Sequence, residues 1–211
     1  MFRNLLKPEG GLMVTMTWLT DSIFLSLFWI LGCVPVVTIG ASCAALYDAA
    51  YRGFRQGDKH CWQRFWQVFR ENWKAGIVPT VVFLTLFFLL GKAMILVWNA
   101  AATGAISWML FSAAAFLDVT ALGILSLMFP VLSRFENTLG GLLKNTLLLA
   151  LANLPGTIGL GIVTAGSLLL CVRFVFPLFF LPALAALVDS LFVEPMFRPF
   201  LSKEEEMQNE E

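Results

Sequence analysis

Two charged side chains interrupt long apolar runs: Lys92 in the run from Gly76 to Trp98, and Asp118 in the run from Ala105 to Leu132. A charge inside hydrocarbon is costly and is kept where it pairs, lines a wet path or relays protons. Lys92 and Asp118 are therefore a candidate intramembrane polar pair. At a rise of about 1.5 Å per residue, Lys92 lies roughly 9 Å from the outer end of its run. Its stem could equally carry the ammonium out to the interface. Asp118 lies deeper, roughly 12–20 Å from the outer face. Its alternatives are burial beside Lys92 or another helix, a cap on a helix break, or a part in proton or ion coupling. Asp21 and Asp189 fall near the ends of apolar runs and read as interfacial. Other chemistry finds little support. There is no H-E-x-x-H, G-x-S-x-G, P-loop or G-x-G-x-x-G pattern. His60 is the single histidine, and with Cys61 it falls short of a zinc ligand set. Cys33, Cys43, Cys61 and Cys171 make no C-x-x-C pair and read as structural thiols. Neither an enzyme nor a bound cofactor or metal is expected.

The elements that hold these residues follow from composition. Of 211 residues, 59% are hydrophobic and 13% charged, against about 25% charged in a soluble domain. The formal net charge is zero, which gives no footing for nucleic-acid binding. The expected fold class is all-α: a polytopic transmembrane helical bundle, because helices satisfy their own backbone in lipid. Runs of about 20 apolar residues suggest about five spans, at 19–39, 76–98, 105–132, 156–172 and 174–193. Pro35 kinks the first near its end. Residues 142–172 read as one element broken at Pro155-Gly156, either a broken span or an interfacial helix followed by a span. Residues 1–200 form a single membrane domain, and 201–211 read as an acidic disordered tail.

Basic residues set the orientation. Arg52, Arg55, Lys59, Arg64, Arg70 and Lys74 crowd the segment 41–74, which is read as a cytoplasmic loop with the C-terminus on the same side. Alternation then leaves the N-terminus, with Arg3 and Lys7, outside. Trp18, Trp98 and Trp108 fall at outer span ends, as interfacial indoles do. On a wheel of 100° per residue, Trp62, Phe65, Trp66, Phe69 and Trp73 share one face opposite Gln63, Arg64, Gln67, Arg70, Glu71 and Lys74. That pattern describes an in-plane amphipathic helix, either anchored on the inner leaflet or docking a partner.

Two stretches carry a more specific likeness. One is Trp18 to Tyr47, with Leu27-Phe28-Trp29, then Pro35 to Gly40 and Ala44 to Tyr47. The other is Arg134 to Thr138, followed by Leu142 to Asn145 and Ala150 to Pro155. Together with the aromatic helix they resemble the YesL family of bacterial integral membrane proteins, a family of unknown function. The likeness runs from about Gly11 to Phe197. Departures are Ala41, where proline is the family's pattern, and Asp189-Ser190, where it is Asn-Ser. The resemblance implies a multipass protein of the bacterial cell membrane, accessory to carbohydrate ABC importers, with permease or ATPase subunits as partners. Permeases of that class carry a coupling segment that opens on Glu-Ala-Ala and closes on Leu-Pro. Glu136 precedes Leu154 and Pro155 at a matching spacing, with Asn137 and Thr138 in place of the alanines. These three form a candidate partner-coupling segment; the alternative is a helix cap and a helix stop. The rival function is a small self-sufficient transporter or channel that uses Asp118 and Lys92. The oligomeric state is left open.

Overall fold

In the computed structural model, residues 11–57, 60–104, 107–134, 139–174 and 176–209 are described, with side chains placed from Trp18 to Phe197 apart from Leu139. Every element among them is helical. The helices are α1 (Gly11–Cys33), α2 (Ile39–Ala50), α3 (Cys61–Asn72), α4 (Ile77–Ala102), α5 (Trp108–Arg134), α6 (Leu139–Ala152), α7 (Leu154–Arg173) and α8 (Leu181–Asn209). A 3₁₀ turn at Val36–Thr38 precedes α2, and a π-helical turn at Tyr51–Arg55 continues it.

The centre of the bundle is α2. Ala41, Ala44, Ala45, Ala49 and Ala50 all have 0% exposure, and α1, α3, α4, α5 and α8 pack around them. Small side chains make this possible, because helix axes can approach closely where nothing projects. The segment 41–74, read as a connecting loop with one amphipathic helix, thus also holds most of the buried helix α2. The first expected span also ends early. Pro35 has no N–H to continue α1, and the Thr38 hydroxyl donates to the carbonyls of Gly32 and Pro35, both at 2.7 Å. The chain doubles back there. Trp18 meets Phe54 at 6.0 Å between rings, and the Trp29 indole N–H donates to Cys43 Sγ at 3.4 Å, so α1 and α2 run antiparallel.

Three described helices, α4, α5 and α7, are long and apolar enough to cross a membrane, against the five or so that the apolar runs suggest. Of these three, α4 is the least buried. Leu86, Phe88, Leu89, Ile95 and Leu96 of α4 are all open, an apolar surface far too large for water and suited to lipid. At the tip of the α4–α5 hairpin Trp98, Trp108 and Phe111 form a ring cluster with centroids 5.5–6.1 Å apart. The base is pinned where the Gly40 N–H donates to Thr80 Oγ1 at 2.8 Å.

The element expected to break near Pro155 is two helices. Asn153 ends α6 and caps α7, accepting from the Gly156 N–H at 3.4 Å. The fifth expected span, 174–193, is not one helix. Pro177 falls in a 3₁₀ turn at Phe176–Phe179, and α8 starts only at Leu181. Pro182 is then in the first turn of α8, where a missing N–H does no harm. In turn α8 continues to Asn209, so residues 201–209 are helical rather than a disordered tail. Lys, Glu, Met and Gln are good helix formers, and extending an existing helix avoids a new nucleus.

The tightest helix contact joins α5 and α7. A Cβ on Gly123 would collide with the Thr157 carbonyl, and one on Gly161 with the Val119 carbonyl. Gly161→Leu is expected to cost at least the roughly 1–3 kcal/mol of an overpacked core, because backbone has to move. Gly91→Leu, where a Cβ meets open space, should leave the melting temperature nearly unchanged. Thermal unfolding in detergent compares the two.

Candidate functional site

One face each of α4, α5, α7 and α8 converges on a common space. On α8 it is Pro182, Ala185, Ala186 and Asp189; on α7, Thr164, Ser167, Leu168 and Cys171; on α5, Ser126, Phe129 and Pro130; on α4, Phe83, Leu84 and Phe87. Each set recurs at three- and four-residue steps, the stripe of a helix face. With Trp29 and Cys33 of α1 and Tyr47 of α2 they line a half-open cavity of about 380 Å³. Ala185 and Ala186 are too small to fill it. Aromatic rings form much of the wall, with Phe83 and Phe129 at 4.9 Å. The hydroxyls along it are partly engaged: Thr164 Oγ1 donates to Ser126 Oγ at 3.0 Å, and Ser167 Oγ to the Thr164 carbonyl at 2.9 Å. Asp189 is different. Its Oδ1 is buried and has no hydrogen-bond partner. A mostly apolar pocket with a few convergent polar groups is the usual form of a small-molecule site.

Tyr47 links this cavity to a charge cluster. Its hydroxyl donates to Glu194 Oε1 at 3.1 Å, and Arg134 Nη2 donates to the same oxygen at 2.7 Å. Beside them Asp48, with no exposed side-chain surface, takes Arg64 Nε at 2.6 Å and Arg52 Nε at 3.1 Å. Arg134 Nε stands 3.9 Å from Asp48, an ion-pair distance too long for a hydrogen bond. The Arg134 guanidinium lies over the Tyr51 ring at 4.7 Å. The π turn aims Arg55 elsewhere, and its Nη1 donates to the Ser190 carbonyl at 3.2 Å. Burial, reinforced by the Glu194 carboxylate, holds the Tyr47 phenol above the ordinary tyrosine range.

The residues singled out from sequence fare differently. Lys92 is exposed and Asp118 half-buried, and among the described residues no ion pair joins them. Spacing along two helices sets depth but not direction around each axis, and the Lys92 side of α4 faces outward with Leu89, Ile95 and Leu96. Glu136 lies outside the described residues. Leu154 and Pro155 are exposed where α7 begins. The aromatic helix is α3, but its face is first of all protein core. Phe65 has 0% exposure, and Phe65 and Trp66 pack on Phe28 of α1 at 6.1 and 5.8 Å. Phe69 stacks on Phe65, whereas Trp62 and Trp73 stay exposed. Asp189, interfacial by its place in the sequence, instead lines the cavity, and its Oδ1 is buried without a partner. Sequence reasoning misses Asp48, although its neighbours signal burial: it sits in Ala44-Ala-Leu-Tyr-Asp-Ala-Ala50 with Arg52 four residues on.

Removing Asp48 strands its arginines. Asp48→Ala is expected to destabilise by about 3 kcal/mol, the low end for breaking a buried ion cluster because the arginines keep some water, read as a fall in the detergent melting temperature. In a Tyr51→Phe protein, Tyr47 is the sole tyrosine. Its phenolate absorbance should then rise only well above pH ~10, the free tyrosine midpoint.

Residues 22–93 match the model of a family described as Protein of unknown function, DUF624. The YesL proteins are the known DUF624 group, so the match over this part of the chain is consistent with the resemblance read from the sequence. No curated protein and no solved structure matches the chain.

Proposed function

We propose that this DUF624 protein is a multipass membrane protein that holds a small, mostly apolar molecule in the cavity between α4, α5, α7 and α8, as the solute-binding part of a transport process. The observation that carries the reading is the cavity of about 380 Å³ walled by rings and aliphatic side chains, with one unmatched carboxylate oxygen. This moves the self-sufficient transporter reading from Lys92 and Asp118 to Asp189. The test uses benzyl alcohol and the full chain in lipid nanodiscs, followed by saturation-transfer NMR. Saturable binding is expected in the wild type. It should be lost in Ser167→Leu, whose added side chain fills the space from α7. Equal signals from both proteins would refute the reading.

A second reading, an accessory subunit of a carbohydrate ABC importer, draws support from Leu154 and Pro155, which stand exposed at the break between α6 and α7. Purification in mild detergent should then recover a permease or ATPase subunit with the wild type, and less with Leu154→Asp. Recovery of neither subunit counts against it.

The protein belongs, in this proposal, to the bacterial cell membrane, and its N-terminus lies on the cytoplasmic side. The ring contact of Trp18 with Phe54 supports this, since it sets the start of α1 beside Arg52 and Arg55. Arg3 and Lys7 then obey the positive-inside rule instead of breaking it. A reporter fused ahead of Met1 should be active only if it is a cytoplasmic reporter; activity of a periplasmic reporter there would overturn the placement.

A further inference from the structure

The chemistry of the cavity narrows what it can hold. Asp189 lies on the α8 stripe that faces the cavity, and its Oδ1 is buried without a partner. A buried carboxylate left unmatched is costly, so such groups are paired or neutralised. The protein does not supply the match. Among the described residues no Lys, Arg or His forms an ion pair with Asp189. Arg55, which reaches α8 one residue further on, is bound to the Ser190 carbonyl. Arg52, Arg64 and Arg134 are drawn to Asp48 and Glu194. The rest of the wall favours positive charge as well. Trp29, Tyr47, Phe83, Phe87 and Phe129 all line the space, and ring faces attract cations in a desolvated site.

We propose that the cavity is a site for a small organic cation, an ammonium group carrying an apolar body, with Asp189 as its counter-ion and the aromatic wall as its bed. The inference rests on the solute-binding reading above and adds the class of solute. In it the ligand's ammonium completes the ion pair that the chain leaves open. Its apolar part replaces lipid or water against Phe83, Phe87 and Leu168. The thiols of Cys33, Cys43 and Cys171 line the same space and take no part.

The experiment compares two probes that differ only in charge, benzyltrimethylammonium and its neutral carbon isostere neopentylbenzene, on the full chain in nanodiscs by competition with bound benzyl alcohol. The wild type is expected to prefer the cation at least tenfold. Asp189→Asn, close in shape, should abolish that preference while keeping the neutral probe. An unchanged melting temperature establishes that this variant is folded. Ser167→Leu should lose both probes. If the wild type binds both probes equally, or Asp189→Asn keeps the preference, the cation proposal fails and the solute-binding reading survives. If the wild type binds neither, both fall.

Discussion

A carboxylate with no exposed surface sits where four elements meet, and the bundle is organised around it. Asp48 projects from α2, the most enclosed helix, and its charge cannot be left alone there. Arg52 answers from the π turn, Arg64 from α3 and Arg134 from the end of α5. Arg134 passes the linkage on to Glu194 of α8. Apolar contacts between membrane helices are poorly directional, since lipid is as apolar as leucine. Matched charges are directional. They fix which helix lies beside which, and Tyr47 carries that order to the cavity wall through its bond to Glu194.

Much of the architecture is legible in the residues. The long apolar runs mark α4, α5 and α7, since length and absence of charge are all that crossing requires. Pro35, Pro177 and the Asn153 cap mark where helices stop, whereas Pro130 lies inside α5. The polar stripe Thr164, Ser167 and Cys171 on α7 repeats at helical spacing. What stays hidden is the part decided by how helices face one another. An alanine-rich segment such as α2 shows no apolar stripe, because it is small on every side. The basic residues around it therefore read as a loop, although several turn inward to Asp48. The same limit explains Lys92 and Asp118, whose depths can be read along their helices but whose directions cannot. It also explains Asp189, which a sequence places near a helix end without saying that α7 and α5 close over it.

The cavity and the glycine contact are related. Where Gly123 and Gly161 let α5 and α7 touch backbone to backbone, the helices are locked at one point. The serine and threonine faces of the same two helices meet at Ser126 and Thr164. Close contact at one point and open space beyond it is the shape that two crossing rods make. The void therefore follows from helix geometry, while Ala185 and Ala186 of α8 keep it from being filled.

The π turn at Tyr51–Arg55 has a consequence for how this chain can vary in length. A wide turn holds one more residue than an α-helical turn in nearly the same rise. Each residue added to or taken from a helix swings all later side chains by about 100° around the axis. Taking one residue out would restore regular α geometry, a local gain. It would also rotate Arg55 away from Ser190 and shift α3, with Arg64, out of line with Asp48. The segment thus behaves like a spacer of fixed count, in which a deletion that improves the helix dismantles the protein around it.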